Sequence, residues 1–196
     1  MSESPVRTLP FLGKRTYLQG TTLFETLTGS HRQISDLSFK INRLITSNRV
    51  RVHDGQAPEG AKISAQMVFT ADGARRTLLV TAEPPSEIIE RVPYDEQALI
   101  DLACFAGDTV TLPGPSPFTA IKTMVALNKA LLLRRFPPAG PGQWFFTRID
   151  GDFYPAGFGE MTVTCRDSLS AGAMPSVVTV DGKTLGRLIF SWAEAS

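Results

Sequence analysis

Two histidines, two cysteines and almost no net charge leave little room for several kinds of chemistry. With a formal net charge of +1 the chain sets up no long-range field to draw a polyanion, and its basic residues stand singly or in pairs such as Arg75-Arg76 and Arg134-Arg135. Nucleic acid is therefore not an expected partner. Cys104 and Cys165 each lie in an apolar stretch without a second cysteine or histidine nearby, so the spacing offers no metal site and reads as two buried thiols in a reducing compartment. No segment approaches the roughly 18 apolar residues of a membrane span, and the opening Met-Ser-Glu-Ser-Pro has no apolar run of the signal-peptide kind. The expectation is a cytoplasmic protein without membrane association. Also missing are a Gly-x-Ser-x-Gly elbow, a phosphate-binding glycine loop leading to Lys-Ser/Thr, and His-Glu-x-x-His. Any site must be assembled from residues far apart in the chain.

What is present is the composition of a folded globule: 196 residues, 42% hydrophobic and 20% charged. Gly20, Thr21 and Thr22 precede Leu23, Phe24 and Leu27, predicting a short helix with Glu25 in its first turn and Gly29 as its stop. Leu37, Phe39 and Ile41 then alternate with polar residues, as do Val50 and Val52, which is the period of strands with one buried face. Asp54-Gly55 marks a turn, and Ile63 to Thr70 with Thr77 to Ala82 form a hairpin around Asp72-Gly73, before Pro84-Pro85. A connector helix is expected from about Asp95 to Phe105, ending at Gly107. The longest helix follows, with Ser116 as N-cap and Pro117 in its first turn, and it is apolar around most of its circumference from Ile121 to Phe136. Strands come next around Asp150-Gly151, at Met161 to Arg166, and around Asp181-Gly182. Helix, alternating strand, second strand and Asp-Gly hairpin thus occur twice, which reads as a tandem duplication with halves 1–85 and 86–196.

A Pro/Gly-bearing loop (Pro113-Gly114), a helix from Pro117, the segment Trp144 to Tyr154 and the hairpin Val180-Asp181-Gly182-Lys183 resemble the corresponding stretches of the 3-hydroxyacyl-carrier-protein dehydratase family. The resemblance covers residues 113 to 194. It implies an α+β double hotdog, an antiparallel sheet wrapped around two central helices. In that family a histidine before the helix and a carboxylate on it act as an acid/base pair. Gly20-Thr21-Thr22-Leu23-Phe24-Glu25 is similar to the family's stretch from glycine to the helix carboxylate, so the resemblance implies Glu25 as the catalytic carboxylate. The second helix offers Lys122, Thr123 and Asn128 in place of an acid, and the loop before it has Gly107-Asp108 where the family has Gly-His. Asp108 is therefore the candidate to replace the histidine.

The resemblance implies an acyl thioester substrate on an acyl carrier protein or coenzyme A, lying in an apolar tunnel between helices and sheet. The reaction would be dehydratase-like or thioesterase-like, and no cofactor or metal is required. Arg15 and Tyr17 could line the pocket entrance, and helix N-terminal amides near Gly20 or Gly114 would polarise the thioester carbonyl. Each assignment has a plainer counterpart. Glu25 could simply favour the helix dipole, Asp108 could be a turn residue, and the row Arg15, Tyr17, Gln19 could be the exposed face of an edge strand. His31 and His53, beside turn residues and arginines, read as surface histidines. Phe145-Phe146, Phe153-Tyr154 and Phe158 read as core packing. The functional alternative is a non-catalytic acyl-binding, small-molecule-binding or assembly module that has lost the His/acid pair. Hotdog sheets commonly pair edge to edge as homodimers, a need that two fused halves can meet internally.

Overall fold

The computed structural model describes residues 5–29, 31, 34–137, 140–153, 158–166 and 172–194. The chain divides into two compact units, Met1–Tyr94 and Asp95–Ser196. The division falls beyond Pro85 because the segment after it belongs to the first unit. Asn48, fully buried, accepts a hydrogen bond from the Ser86 amide at 2.9 Å and donates one to the Ile88 carbonyl at 3.2 Å.

In the first unit the elements are β1 (Val6–Thr8), β2 (Phe11–Leu12), helix α1 (Gly20–Thr28), β3 (Ile34–Ile41), β4 (Arg49–Asp54), β5 (Ile63–Ala71), β6 (Ala74–Ala82) and β7 (Arg91–Val92). The sheet order is β1-β4-β6-β5-β3, antiparallel throughout, while β2 and β7 form a small parallel pair. Alternation does what its period dictates: Phe39, Met67 and Leu78 stand in register on one face, and the ring of Phe24 on α1 meets Phe39 edge-on at 5.6 Å. The β5–β6 hairpin turns at Asp72-Gly73 with both φ angles positive, +52° and +75°, the conformation an Asp-Gly pair adopts readily in a two-residue turn.

The second unit contains α2 (Glu96–Ile100), β8 (Cys104–Ala106), β9 (Thr109–Leu112), α3 (Ala120–Arg135), β10 (Gly142–Phe153), β11 (Met161–Cys165), β12 (Ala173–Val180) and β13 (Lys183–Glu194). Its sheet order is β10-β13-β12-β11-β9-β8, again antiparallel. Val110, Met161, Val163, Met174, Val178, Leu188 and Phe190 supply its buried face, and α3 is buried along most of its length.

Several local expectations are corrected. The connector helix is only α2, capped by the Asp95 side chain accepting from the amides of Gln97 and Ala98. Cys104–Ala106 instead folds back on β9 through a turn with Gly107 at φ +55°, which leaves Cys104 exposed while Cys165 is buried. The N-cap of α3 is Thr119, not Ser116. Ser116 Oγ accepts from the Phe118 amide at 3.0 Å and from the Thr123 hydroxyl at 2.6 Å. Asp150-Gly151 is no turn, because β10 runs through it in register with β13. Tyr154 lies outside the described residues.

After its longer helix each unit carries the same list, four strands of its main sheet that end in a hairpin: β3 to β6 in the first and β10 to β13 in the second. This is the α+β double hotdog, with one helix held against each antiparallel sheet. The lists are threaded differently. In the first unit the final hairpin sits with its first strand, β5, beside the post-helix strand β3; in the second, the second strand of the hairpin, β13, lies beside the post-helix strand β10. As a result β4 and β5 flank β6 and run parallel to each other, so residues 55–62 must return past β6. The corresponding strands β11 and β12 are direct antiparallel neighbours.

Candidate functional site

Helix α1 begins at Gly20, with Gln19 as an extended N-cap that makes no side-chain capping bond. Glu25 therefore falls in the second turn and not the first, where the helix dipole has little hold on it. Thr21 to Phe24, Leu27 and Thr28 are buried, and Glu25 with Thr26 forms the half-buried strip of the helix. Thr26 and Thr28 turn their hydroxyls back on the helix, donating to the carbonyls of Thr22 and Phe24 at 2.8 and 2.9 Å. Thr22 does not: its hydroxyl is buried with no hydrogen-bond partner among the described residues. Thr22, Glu25 and Thr26 stand at i, i+3 and i+4, so a carboxylate and an unpartnered hydroxyl share one face of α1.

The segment leading into α1 is a loop, not the edge strand that alternation suggested. Arg91 pins it by donating to the carbonyls of Gly13 and Arg15 at 3.1 and 2.7 Å. The Arg15 guanidinium lies 5.6 Å from the centre of the Tyr94 ring, and it donates to the Gln19 amide oxygen when that amide is turned toward it. Arg15 and half-buried Tyr17 thus lie just ahead of the helix N-terminus that Gly20 opens. Gly114 belongs to the second unit, between β9 and α3, where nothing within 4 Å would obstruct a Cβ.

Asp108 sits on the β8–β9 turn with its side chain 60% exposed, 2.9 Å from the Arg135 Nε at the end of α3. This turn carboxylate is open to solvent and ion-paired, with no apolar enclosure around it. The histidines are not on the surface. His53 is 5% exposed on β4, with Nε2 3.0 Å from the Thr81 hydroxyl. His31, just beyond α1, has its ring 5.2 Å from that of Phe69 and its Nδ1 3.6 Å from the Asp72 carboxylate. Phe146 packs on Phe190, and Trp144 on Trp192 and Phe136.

Electrostatics elsewhere serve the scaffold. Arg51, 2.7 Å from Glu83, holds that carboxyl below the usual carboxylate range. The Asp181 carboxyl is held low by the amides of Glu160 and Gly159, which donate to it at 2.8 and 3.2 Å. No helix is long and apolar enough to cross a membrane, and no group of three or more potential metal ligands occurs among the described residues.

Two residues of the second unit form a buried pair that no local pattern announces. Asn128 on α3 and Ser176 on β12 are fully buried, and the Ser176 hydroxyl donates to Asn128 Oδ1 at 2.6 Å. In the sequence Asn128 stands only as a residue without an acid's charge. Nothing in local sequence signals its partner, which lies far along the chain.

No protein-family model and no curated protein matches the sequence. Among solved structures the chain is similar to a putative thioesterase II from Thermobifida fusca YX, at 14% identity over 93% of this chain and 89% of that one, with a TM-score of 0.45. It is similar to an acyl-ACP thioesterase from Bacteroides thetaiotaomicron VPI-5482, at 11% identity over 97% of each, with a TM-score of 0.45. It is also similar to the dehydratase domain of a mycocerosic acid synthase-like PKS, at 12% identity over 89% of this chain and 81% of that one, with a TM-score of 0.43.

Proposed function

We propose that this chain binds acyl thioesters, presented on coenzyme A or an acyl carrier protein, and that Glu25 is the carboxylate that moves the proton in a thioesterase-like or dehydratase-like reaction. The observation that carries the reading is the shared face of α1, where Glu25 stands one turn from the buried, unpartnered hydroxyl of Thr22. A buried polar group without a partner calls for an explanation, and a substrate oxygen or an attacking water is one.

The chemistry asks little more of the chain. In hydrolysis Glu25 would take a proton from water as the oxygen attacks the thioester carbon, then return it to the departing thiolate. In dehydration it would take the α-proton and give it to the leaving hydroxide. Either way the carbonyl oxygen gains charge, and the amides of Gly20 and Thr21, which have no intrahelical acceptor and no side-chain cap, are the nearest donors on this helix for it. Arg15 and Tyr17, just ahead of that helix end, would meet the thioester's polar carrier.

A second reading has its own support. Asp108 is committed to Arg135, His53 to Thr81, and His31 lies against Asp72 and Phe69. On that basis the chain is an acyl-binding module without turnover.

One experiment separates the two. Wild-type protein and Glu25→Gln are assayed with a series of acyl-coenzyme A thioesters for thiol release and for water addition to enoyl thioesters, alongside ligand-induced thermal shifts. Turnover that falls about 100-fold or more in the variant, with melting unchanged, supports the catalytic reading. Thermal shifts without turnover support the binding module. An unaffected Glu25→Gln enzyme removes Glu25, and the absence of both shift and turnover removes acyl thioesters altogether.

A further inference from the structure

The first turn of α1 holds more hydrogen-bond donors than its own fold uses. The amides of Gly20, Thr21 and Thr22 precede the first intrahelical bond, which the Leu23 amide donates to the Gln19 carbonyl at 3.1 Å, and Gln19 adds no side-chain cap. Thr21 and Thr22 are only 2% and 7% exposed, so their donors are enclosed. To these amides is added the Thr22 hydroxyl, buried and without a partner among the described residues. Helix side chains lean toward the N-terminus, which sets that hydroxyl beside the amides. The Thr21 hydroxyl is already engaged, 3.4 Å from the Gln19 side chain.

A thioester carbonyl presents one oxygen, enough for the amides of Gly20 and Thr21. The amide and hydroxyl of Thr22 then call for a second oxygen. Hydrolysis supplies it. The oxygen of the attacking water bonds to the acyl carbon as the C–S bond breaks, one water proton leaves with the thiol, the other passes to solvent, and a carboxylate remains. A carboxylate accepts about four hydrogen bonds and carries the negative charge that a helix N-terminus favours. Hydrogen bonds to an ionised acceptor are roughly twice as strong as neutral ones. The Arg15 guanidinium, beside Gln19 and just ahead of this turn, adds positive charge. Glu25, one turn along the same helix face, is the opposing charge.

We propose that the first turn of α1 binds the free carboxylate of an acyl chain, so that the released acid competes with incoming thioester for the site. The inference rests on the acyl-thioester reading above and names a regulator of that same site.

The test measures, by calorimetry on the full chain, affinities for straight-chain acids of several lengths and for the primary amide of each. A stable coenzyme A ketone, with methylene in place of the thioester sulfur, serves as the thioester probe and as competitor. Wild type is expected to bind one acid about tenfold or more tighter than its amide, and to release it to the ketone. Thr22→Val keeps the side-chain shape, so melting should hold or rise as an unmet buried hydroxyl goes, while affinity for the acid falls about fivefold. Gly20→Pro removes one amide donor at the first helical position, where proline is accommodated after the extended Gln19, and should lower affinity again. Glu25→Gln takes away the opposing charge and should raise it. Thr22→Val keeps the test open if the proline variant does not fold. Acid and amide bound alike, or an affinity for the acid that ignores all three substitutions, overturns this inference and leaves the acyl-thioester reading standing where the ketone binds. Acid bound without the ketone upholds the carboxylate site and removes the thioester reading. Binding of neither overturns both.

Discussion

Gly151 and Gly186 face each other across β10 and β13 with no room for a side chain on either. A Cβ on Gly151 would come within 2.5 Å of the Gly186 Cα and strike the Leu185 carbonyl; one on Gly186 would strike the Asp150 carbonyl. Gly151 also holds φ at +144°, a conformation L-residues rarely adopt. Alanine at either position should therefore destabilise the protein by about 2 kcal/mol or more, read by urea denaturation. Gly140→Ala, with open space around it, should stay within about 0.5 kcal/mol of wild type. Equal behaviour of all three would mean the two strands can part at no cost.

Asn48 ties the segment after Pro85 to the first unit through Ser86 and Ile88. Asn48→Ala should cost about 1–3 kcal/mol, since two hydrogen bonds made by a fully buried side chain go. Faster amide hydrogen exchange at Ser86 is the expected local signature, and unchanged exchange there would show that other contacts hold the segment.

Asp181 contributes to stability in a pH-dependent way with a definite sign. Its folded carboxyl titrates below the usual value of 3.8 because Glu160 and Gly159 amides donate to the ionised form. The stabilisation is complete above that value and is lost as pH falls through the lower, folded one. Asp181→Asn keeps a residue that tolerates the turn's positive φ of 47° but cannot ionise. The stability difference between wild type and variant, measured by denaturation from about pH 7 to about pH 3, should shrink as acid is added. A gap that stays constant would assign the effect to the turn and not to the charge.

Asp108→Asn should change stability by less than about 1 kcal/mol, as befits an exposed pair with Arg135. Turnover, where present, should stay within about twofold, a bound that rests on the same exposed geometry. A large loss of turnover with stability intact would return Asp108 to the role of acid.

The Asp-Gly dipeptides show how far the sequence could be read. At Asp72-Gly73 and Asp181-Gly182 the turn is a local event, two residues with positive φ between paired strands, and the residues themselves announce it. Asp150-Gly151 carries the same letters, but the long β13 pairs straight through it, and that demand comes from elsewhere in the chain. The same divide runs through the site. Glu25 on a short helix could be named from its neighbours, whereas its turn position depended on a helix start shifted to Gly20. The burial of His53 and the Asn128–Ser176 bond depend on strand order, which periodicity does not encode.

Each unit completes its sheet with a strand that enters between two already made, β6 between β4 and β5 and β13 between β10 and β12. A nascent chain that has not reached Ala74, or one that has not reached Lys183, displays two strand edges still bare, a template for mispairing with another copy. Stalling at either length should make the growing polypeptide sticky.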